Sequence, residues 1–257
     1  MRPLSSLSLQ DTDQAHPIGM LARKLSHLTP LEAREQAALA GVLGRSVRQY
    51  KHRQLLNDRD TPPAEIQVLV EGWACRFTVL ASGKRRIVAF YLPGDVCDFD
   101  AFLMQRMDQS ISAIGLARVA GISRQALDDL SRNQPRLSQA LWWESMTAAS
   151  IQRAWTINVG QRAANRRLAH LLCELYARLE RVGLGQAGSC AFPLTQADLG
   201  DACALTSIHT NRALQELRRD GLLDLHAGML RIHDLAELAA LGEFDPGYLG
   251  TGAAAQS

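Results

Sequence analysis

The chain has 257 residues, 47% hydrophobic and 21% charged, with a formal net charge of +2. This is globular composition, long enough for one large unit or two small ones with separate cores, and it argues against fibrous or wholly disordered classes. Near-neutral charge leaves a polyanionic partner open, because clustering of cations on one face decides that question.

Residues 1–18, rich in Ser, Gln, Asp and Pro, read as a disordered arm. Residues 19–50 read as helical: Leu21, Leu25 and Leu28 keep helical spacing, and Thr29-Pro30-Leu31-Glu32 is expected to cap a second helix. From residue 65 the period becomes two. Ile66, Val68 and Val70 alternate, as do Trp73, Cys75, Phe77 and Val79 beyond Gly72. A turn at Ala81-Ser82-Gly83-Lys84 leads to Arg86, Val88 and Phe90, and Pro93-Gly94-Asp95 turns again. Residues 110–122 alternate once more, so a small sandwich, roll or barrel is expected.

Ser123 caps a short helix, and Pro135 sits near the start of a long one. Leu137, Leu141, Ala148, Ile151 and Trp155 form its stripe, which could pack on its own domain or on a twin. Trp142 and Trp143 are adjacent, so one should face the stripe, packing against the roll. Gly160 ends the run and is the expected hinge. Residues 162–182 form an amphipathic helix carrying Leu168, Leu171, Leu172, Leu175 and Leu179. Arg162, Arg166 and Arg167 read as a solvated face, with phosphate contact the alternative.

The most informative stretch is 192–232. Thr195 caps a short helix, Gln196–Cys203, and its third residue Asp198 reaches back. Gly200 is small where a second helix must approach. After Ala204-Leu205, Thr206 caps a helix to about Arg219, with Ala213, Leu214 and Leu217 inside and Asp220-Gly221 as its stop. Two short helices joined by a tight turn form a helix-turn-helix. Ser207, His209, Asn211, Arg212 and Gln215 would face a major groove. Arg212 could bond guanine as a fork, and Ile208 could touch a thymine methyl. Leu222–Leu225 and Leu230–Ile232 make a hairpin, and hence a wing. Thr210 occupies an inner slot that is usually apolar.

Five cysteines (Cys75, Cys97, Cys173, Cys190, Cys203) are odd in number and widely spaced, which favours buried reduced thiols over disulfides or zinc. A redox-sensing thiol stays open. His16, His27, His52, His170 and His233 show no metal-ligand spacing, and a haem on His16 or His27 has little support. No catalytic triad or phosphate loop can be assembled. No secretory signal is visible and no stretch approaches the ~20 apolar residues of a membrane span. No membrane association and a cytoplasmic location are expected.

The order of these elements resembles the catabolite activator and FNR (CRP/FNR) superfamily of bacterial regulators over roughly residues 20–240. The carrying residues are Leu69-Val70-Glu71-Gly72, Gly83-Lys84, Tyr91-Leu92-Pro93-Gly94-Asp95-Val96, Leu194 to Gly200 and Thr206 to Leu217. The resemblance implies an α+β fold: an N-terminal, cyclic-nucleotide-binding-like β-roll over 19–132, a dimerisation helix and hinge over 133–159, a winged helix-turn-helix over 160–242, and a tail over 243–257. It implies a homodimer on a two-fold symmetric operator, touching RNA polymerase.

Cyclic-AMP receptors of the superfamily carry a Gly-Glu and an Arg-Ser pair. Here Cys97-Asp98-Phe99-Asp100 and Met107-Asp108 stand there, so no phosphate cation is expected and Asp108 would repel one. No cysteine precedes Cys75, so the iron–sulfur chemistry of FNR is not implied. The superfamily places Glu where Ile208 stands, and the cyclic-AMP receptors place Arg where Ser207 stands, while Arg212 is retained; an altered base preference follows.

The expected function is thus a sequence-specific DNA-binding transcription regulator, with activation favoured, and not an enzyme. Its DNA-binding residues would be Thr195, Thr206, Ser207, Ile208, His209, Asn211, Arg212 and, from the wing, His226. No cofactor is expected and the effector is unknown. The alternatives are a nucleotide receptor without DNA binding and a β-roll enzyme. The operator, the regulated genes and the signal are not legible.

Overall fold

The computed structural model describes residues 17–27, 29–43, 46–99 and 105–250. Residues 1–16, Leu28, Asp100 and 251–257, and with them most of the expected arm and His16, lie outside the described residues.

Helices α1 (Pro17–Ser26) and α2 (Ala33–Leu43) precede strands β1 (Val47–Tyr50) and β2 (Leu55–Asn57). Thr29 is not the cap expected of it. The second helix begins four residues later, where Glu35 reaches back to accept from the Glu32 amide at 2.7 Å. Nor are residues 47–50 helical: they pair with the last half of β5 (Ser110–Ser123).

Strand β3 (Glu65–Val79) lies between β5 and β4 (Arg85–Tyr91), giving the order β1-β5-β3-β4. Gly72 decides how β3 is used. Its register against β5 shifts just before this glycine, whose φ is +78°, and again across it. Before Gly72, Ile66, Val68 and Val70 face the helices and Leu69 faces the roll interior; beyond it, Ala74 faces the interior, and Trp73 and Cys75 turn to the C-terminal half. One irregular residue thus exchanges the two faces of a period-two strand. A Cβ at Gly72 would lie 2.1 Å from the Leu116 carbonyl oxygen, so only glycine fits.

Ser123 caps α3 (Arg124–Asn133), accepting from the Ala126 amide. Helix α4 (Pro135–Gln161) follows. It passes through Gly160 without breaking; the break comes at Arg162, which is extended, and α5 (Ala164–Arg181) begins beyond it. Of the expected stripe, Leu137, Leu141 and Trp155 are buried in this chain, Ile151 is half-buried and Ala148 is exposed. Both adjacent tryptophans are exposed, Trp142 by 69% and Trp143 by 39%, so neither packs into the roll as expected.

The C-terminal half comprises α5, a hairpin of β6 (Gly185–Gln186) and β7 (Ser189–Ala191), α6 (Gln196–Cys203), α7 (Ser207–Arg219), the wing strands β8 (Leu223–His226) and β9 (Met229–Ile232), and α8 (Leu235–Gly242). Its sheet runs β6-β7-β9-β8. The residues beyond 243 do not form a loose tail as far as Gly250. A 3-10 turn at Pro246–Leu249 buries Leu249, while Tyr248 stacks on His170 and donates to Glu174 at 2.8 Å. Among the described residues no helix is long and apolar enough to cross a membrane.

Candidate nucleic-acid interface

Helices α6 and α7 are short, so their ends must be satisfied locally. The Thr195 hydroxyl accepts from the Asp198 amide while Asp198 accepts from the Thr195 amide, a complete capping box. Burial pushes the Asp198 carboxyl up, but the bonds from Thr195 and Arg85 outweigh it and hold the group below its usual range. Ala204 closes α6 in the left-handed region, its amide donating to the Gly200 carbonyl. Thr206 caps α7, accepting from His209.

The helices touch at Gly200, where a Cβ would meet the Thr210 Oγ1 at 2.9 Å. Thr210, fully buried, donates that hydroxyl to the Thr206 carbonyl at 3.0 Å, which satisfies a polar group in an otherwise apolar slot. Leu199, Ala213, Leu214 and Leu217 join α5 in the core behind.

What remains outside is the expected reading surface. Thr195, Thr206, Ser207, Ile208, His209, Asn211, Arg212 and Gln215 are all exposed. Ile208, though apolar, is 78% exposed, and the Arg212 side chain is 78% exposed. Arg212 Nε donates to Glu216 at 3.1 Å one turn on. That bond steers the guanidinium and leaves its two terminal nitrogens for an end-on fork. Glu216 was not among the expected reading residues, and its offset of four from Arg212 is the signal that could have flagged it.

His226 is exposed on the wing, beside a cleft that it lines with Gln196 and Arg218. The wing is held to α7 by Arg218, which donates to the Leu225 carbonyl at 3.0 Å. Of the arginines after α4, Arg166 is exposed as expected of a solvated face, whereas Arg162 and Arg167 are half-buried. Arg162 and Arg166 pair with Glu243, and Arg167 donates to the Arg162 and Cys203 carbonyls, tying α5 to the end of α6.

The roll opens on a cavity of about 460 Å³, bounded by β4, the Pro93-Gly94-Asp95 turn, α4 and α5. Asp108 lines it as expected, but cations are present: Lys24, Arg76, Arg178 and Arg181, drawn from segments far from the turn. Arg76 lies 4.0 Å from Asp108. Lys24 bonds Asp95 (2.5 Å) and Glu144, and Arg178 bonds Asp95 (2.7 Å) and Glu174 (3.2 Å). Burial opposes both charges of the Asp95 pairs; the opposite charges outweigh it, leaving Asp95 below and Lys24 above their ordinary values. This cluster joins α1, the roll, α4 and α5.

All five cysteines are free and buried, and burial raises every thiol, Cys75 and Cys190 to about 11 and Cys173 and Cys203 to about 12. His170 is buried with Nδ1 3.1 Å from the Gly242 carbonyl oxygen, and burial, then Arg162, lowers its pKa. His27 Nε2 lies 3.2 Å from the Arg181 carbonyl oxygen.

Two family models match the two halves: the cyclic nucleotide-binding domain over residues 47–134 and the Crp-like helix-turn-helix domain over 166–241. The chain belongs to the CRP/FNR superfamily of transcription regulators. Similar members include an anaerobic regulatory protein of Aggregatibacter actinomycetemcomitans, 27% identical over 64% of this chain and 64% of that one. Another is the electron transport regulator A of Shewanella oneidensis, 25% identical over 82% and 84%. The structure of FixK2 from Bradyrhizobium japonicum superposes with a TM-score of 0.68 at 25% identity, covering 76% of this chain and 96% of that one. The superfamily's α+β order of roll, long helix and winged helix-turn-helix is the order found here.

Proposed function

We propose that this chain is a sequence-specific transcription regulator that binds a two-fold symmetric operator as a homodimer. The observation that carries the reading is the α7 surface: a rigid, doubly capped helix pair with Ser207, Ile208, Asn211 and Arg212 exposed on one face. Such a helix fits the major groove by its N-terminal residues, while the first helix crosses the backbone. Thr195, Thr206, Ser207 and His209 lie at helix N-termini, where amides and hydroxyls hold phosphates. Arg212 reads guanine, Ile208 meets a thymine methyl, Asn211 reads a neighbouring base edge, and His226 holds a phosphate from the wing.

Pairing falls to α4. Trp142, Met146 and Ala149 follow one another at steps of four and three along its outer side, and the same line continues through Arg153 to Ile157. Trp142, Met146 and Ile157 are each more than half exposed. An apolar seam of this spacing suits a second copy of the helix. The paired regulator acts in the cytoplasm, activating transcription through a contact with RNA polymerase.

The test is a mobility shift across a range of salt concentrations on DNA selected by the protein, comparing wild type with Arg212→Ala. Loss of one guanine fork costs about 1–3 kcal/mol of specific binding and leaves the salt-dependent non-specific term in place. An unchanged shift removes Arg212 from the interface.

A further inference from the structure

We propose that Arg85, on the roll, is a positioning residue for DNA recognition: it holds the first helix of the reading pair through Asp198 and Asp201. The proposal rests on the reading that α7 engages DNA.

Asp198 divides its two oxygens. Oδ2 serves the capping box with Thr195, and Oδ1 accepts from Arg85 Nη2. Arg85 Nε donates to Asp201 Oδ2 at 2.7 Å, one turn along the same helix. The guanidinium thus bridges two carboxylates that would otherwise face each other at an offset of three, and it lies over the Phe77 ring, 5.9 Å from its centroid. These groups are partly desolvated, with side-chain exposures of 23% for Arg85, 7% for Asp198 and 26% for Asp201. That separates the clasp from an exposed pair of little energetic consequence. Beside it, Trp73 meets Phe192 edge to face at 5.4 Å, three residues before the Thr195 cap.

Asp198 turns inward, whereas Thr195, Gln196 and Ala197 stay exposed at the start of α6, as do Ser207, Asn211 and Arg212 on α7. Nothing in the roll's grip covers the reading surface. A contact that leaves the surface open and fixes the helix carrying it orients that surface; it does not mask it. In a two-fold pair, both reading heads must meet one duplex in register, so freedom at this joint is paid out of binding free energy.

Fluorescence anisotropy on protein-selected DNA, with full-length wild type, Arg85→Gln, Arg85→Lys, Asp201→Asn and the double Arg85→Gln/Asp201→Asn, tests this. Arg85→Gln should weaken specific binding about tenfold, with Arg85→Lys recovering part of it. The double variant should bind no worse than Arg85→Gln alone, because the two residues act through one contact. The active fraction from stoichiometric titration and the salt slope should not move, since Arg85 touches no phosphate; a fold defect would lower the active fraction instead. Arg212→Ala is the control. If wild type shows no specific binding, or Arg212→Ala binds like it, the DNA reading itself fails. If those behave as expected but Arg85→Gln binds as wild type or more tightly, or the single losses add, the clasp proposal alone is overturned.

Discussion

Substituting Gly200 by Ala tests the geometry on which the reading head depends. The added Cβ would lie 2.9 Å from Thr210 Oγ1 and 3.2 Å from the Leu205 carbonyl oxygen, against the 3.4 Å at which ordinary contact begins. Thr210 cannot swing away without releasing its bond to the Thr206 carbonyl inside a closed core. Overpacking of this kind costs about 1–3 kcal/mol, and the better helix propensity of Ala returns about 1 kcal/mol. The net loss of about 1 kcal/mol should lower Tm by about 2–4 °C in a protein of this size. The displacement falls between α6 and α7, so DNA affinity should drop more, by about tenfold, as both halves of a pair lose register. Gly200→Ala/Thr210→Ala, which removes the nearer clash, should regain part of the affinity. The measurements are thermal unfolding by circular dichroism and anisotropy on selected DNA. A raised Tm with unchanged affinity would show that the helices have room to spare and refute the packing argument.

Three further outcomes follow from the same structure. Asp95 titrates below its unfolded value, so its contribution is complete above a pH of about 4 and is lost as pH falls through the folded value. Asp95→Asn, which leaves Lys24 with Glu144 and Arg178 with Glu174 as their remaining partners, should cost about 2 kcal/mol at neutral pH, and the gap from wild type should close in acid; a constant gap would contradict the assignment. Cys75, Cys173, Cys190 and Cys203 should react with a thiol reagent several hundred-fold more slowly in the folded protein than in denaturant, because values near 11 or 12 leave about one thiolate in a thousand or fewer at pH 8. Rapid labelling of any one of them would show an exposed thiol. Trp142→Glu, which puts a charge into the exposed seam of α4, should convert a dimer into a monomer by analytical ultracentrifugation and weaken operator binding with it; an unchanged mass would move the pairing surface elsewhere.

Local signals were legible in the sequence and distant ones were not. Period-two runs around Gly72 located β3, and the Thr195–Asp198 offset and the Thr206 cap located the starts of both reading helices. Such signals act within a few residues of themselves. Strands β1 and β2 went unread because they are short edge pieces carrying Arg48 and Gln49, with little alternation to betray them. The exposed reading residues were identifiable because polar side chains at helical spacing opposite Ala213 and Leu217 have only solvent to face. The supports were not: Arg85 meets Asp201 across 116 residues, and Tyr248 meets Glu174 across 74. A Gly- and Ala-rich end gave no hint that Tyr248 and Leu249 fold back beneath α4 and α5. The direction of the α4 stripe was likewise undetermined, since helical spacing says which residues share a side and not what covers it.

Selection of bound sites from random DNA tests the central claim most directly. Two Arg212-bearing helices joined by two-fold symmetry should enrich inverted half-sites about one helical turn apart, 10–10.5 base pairs centre to centre, with a guanine in each that Arg212→Ala no longer demands. Enrichment of unpaired or directly repeated sites, or none above background, would contradict it.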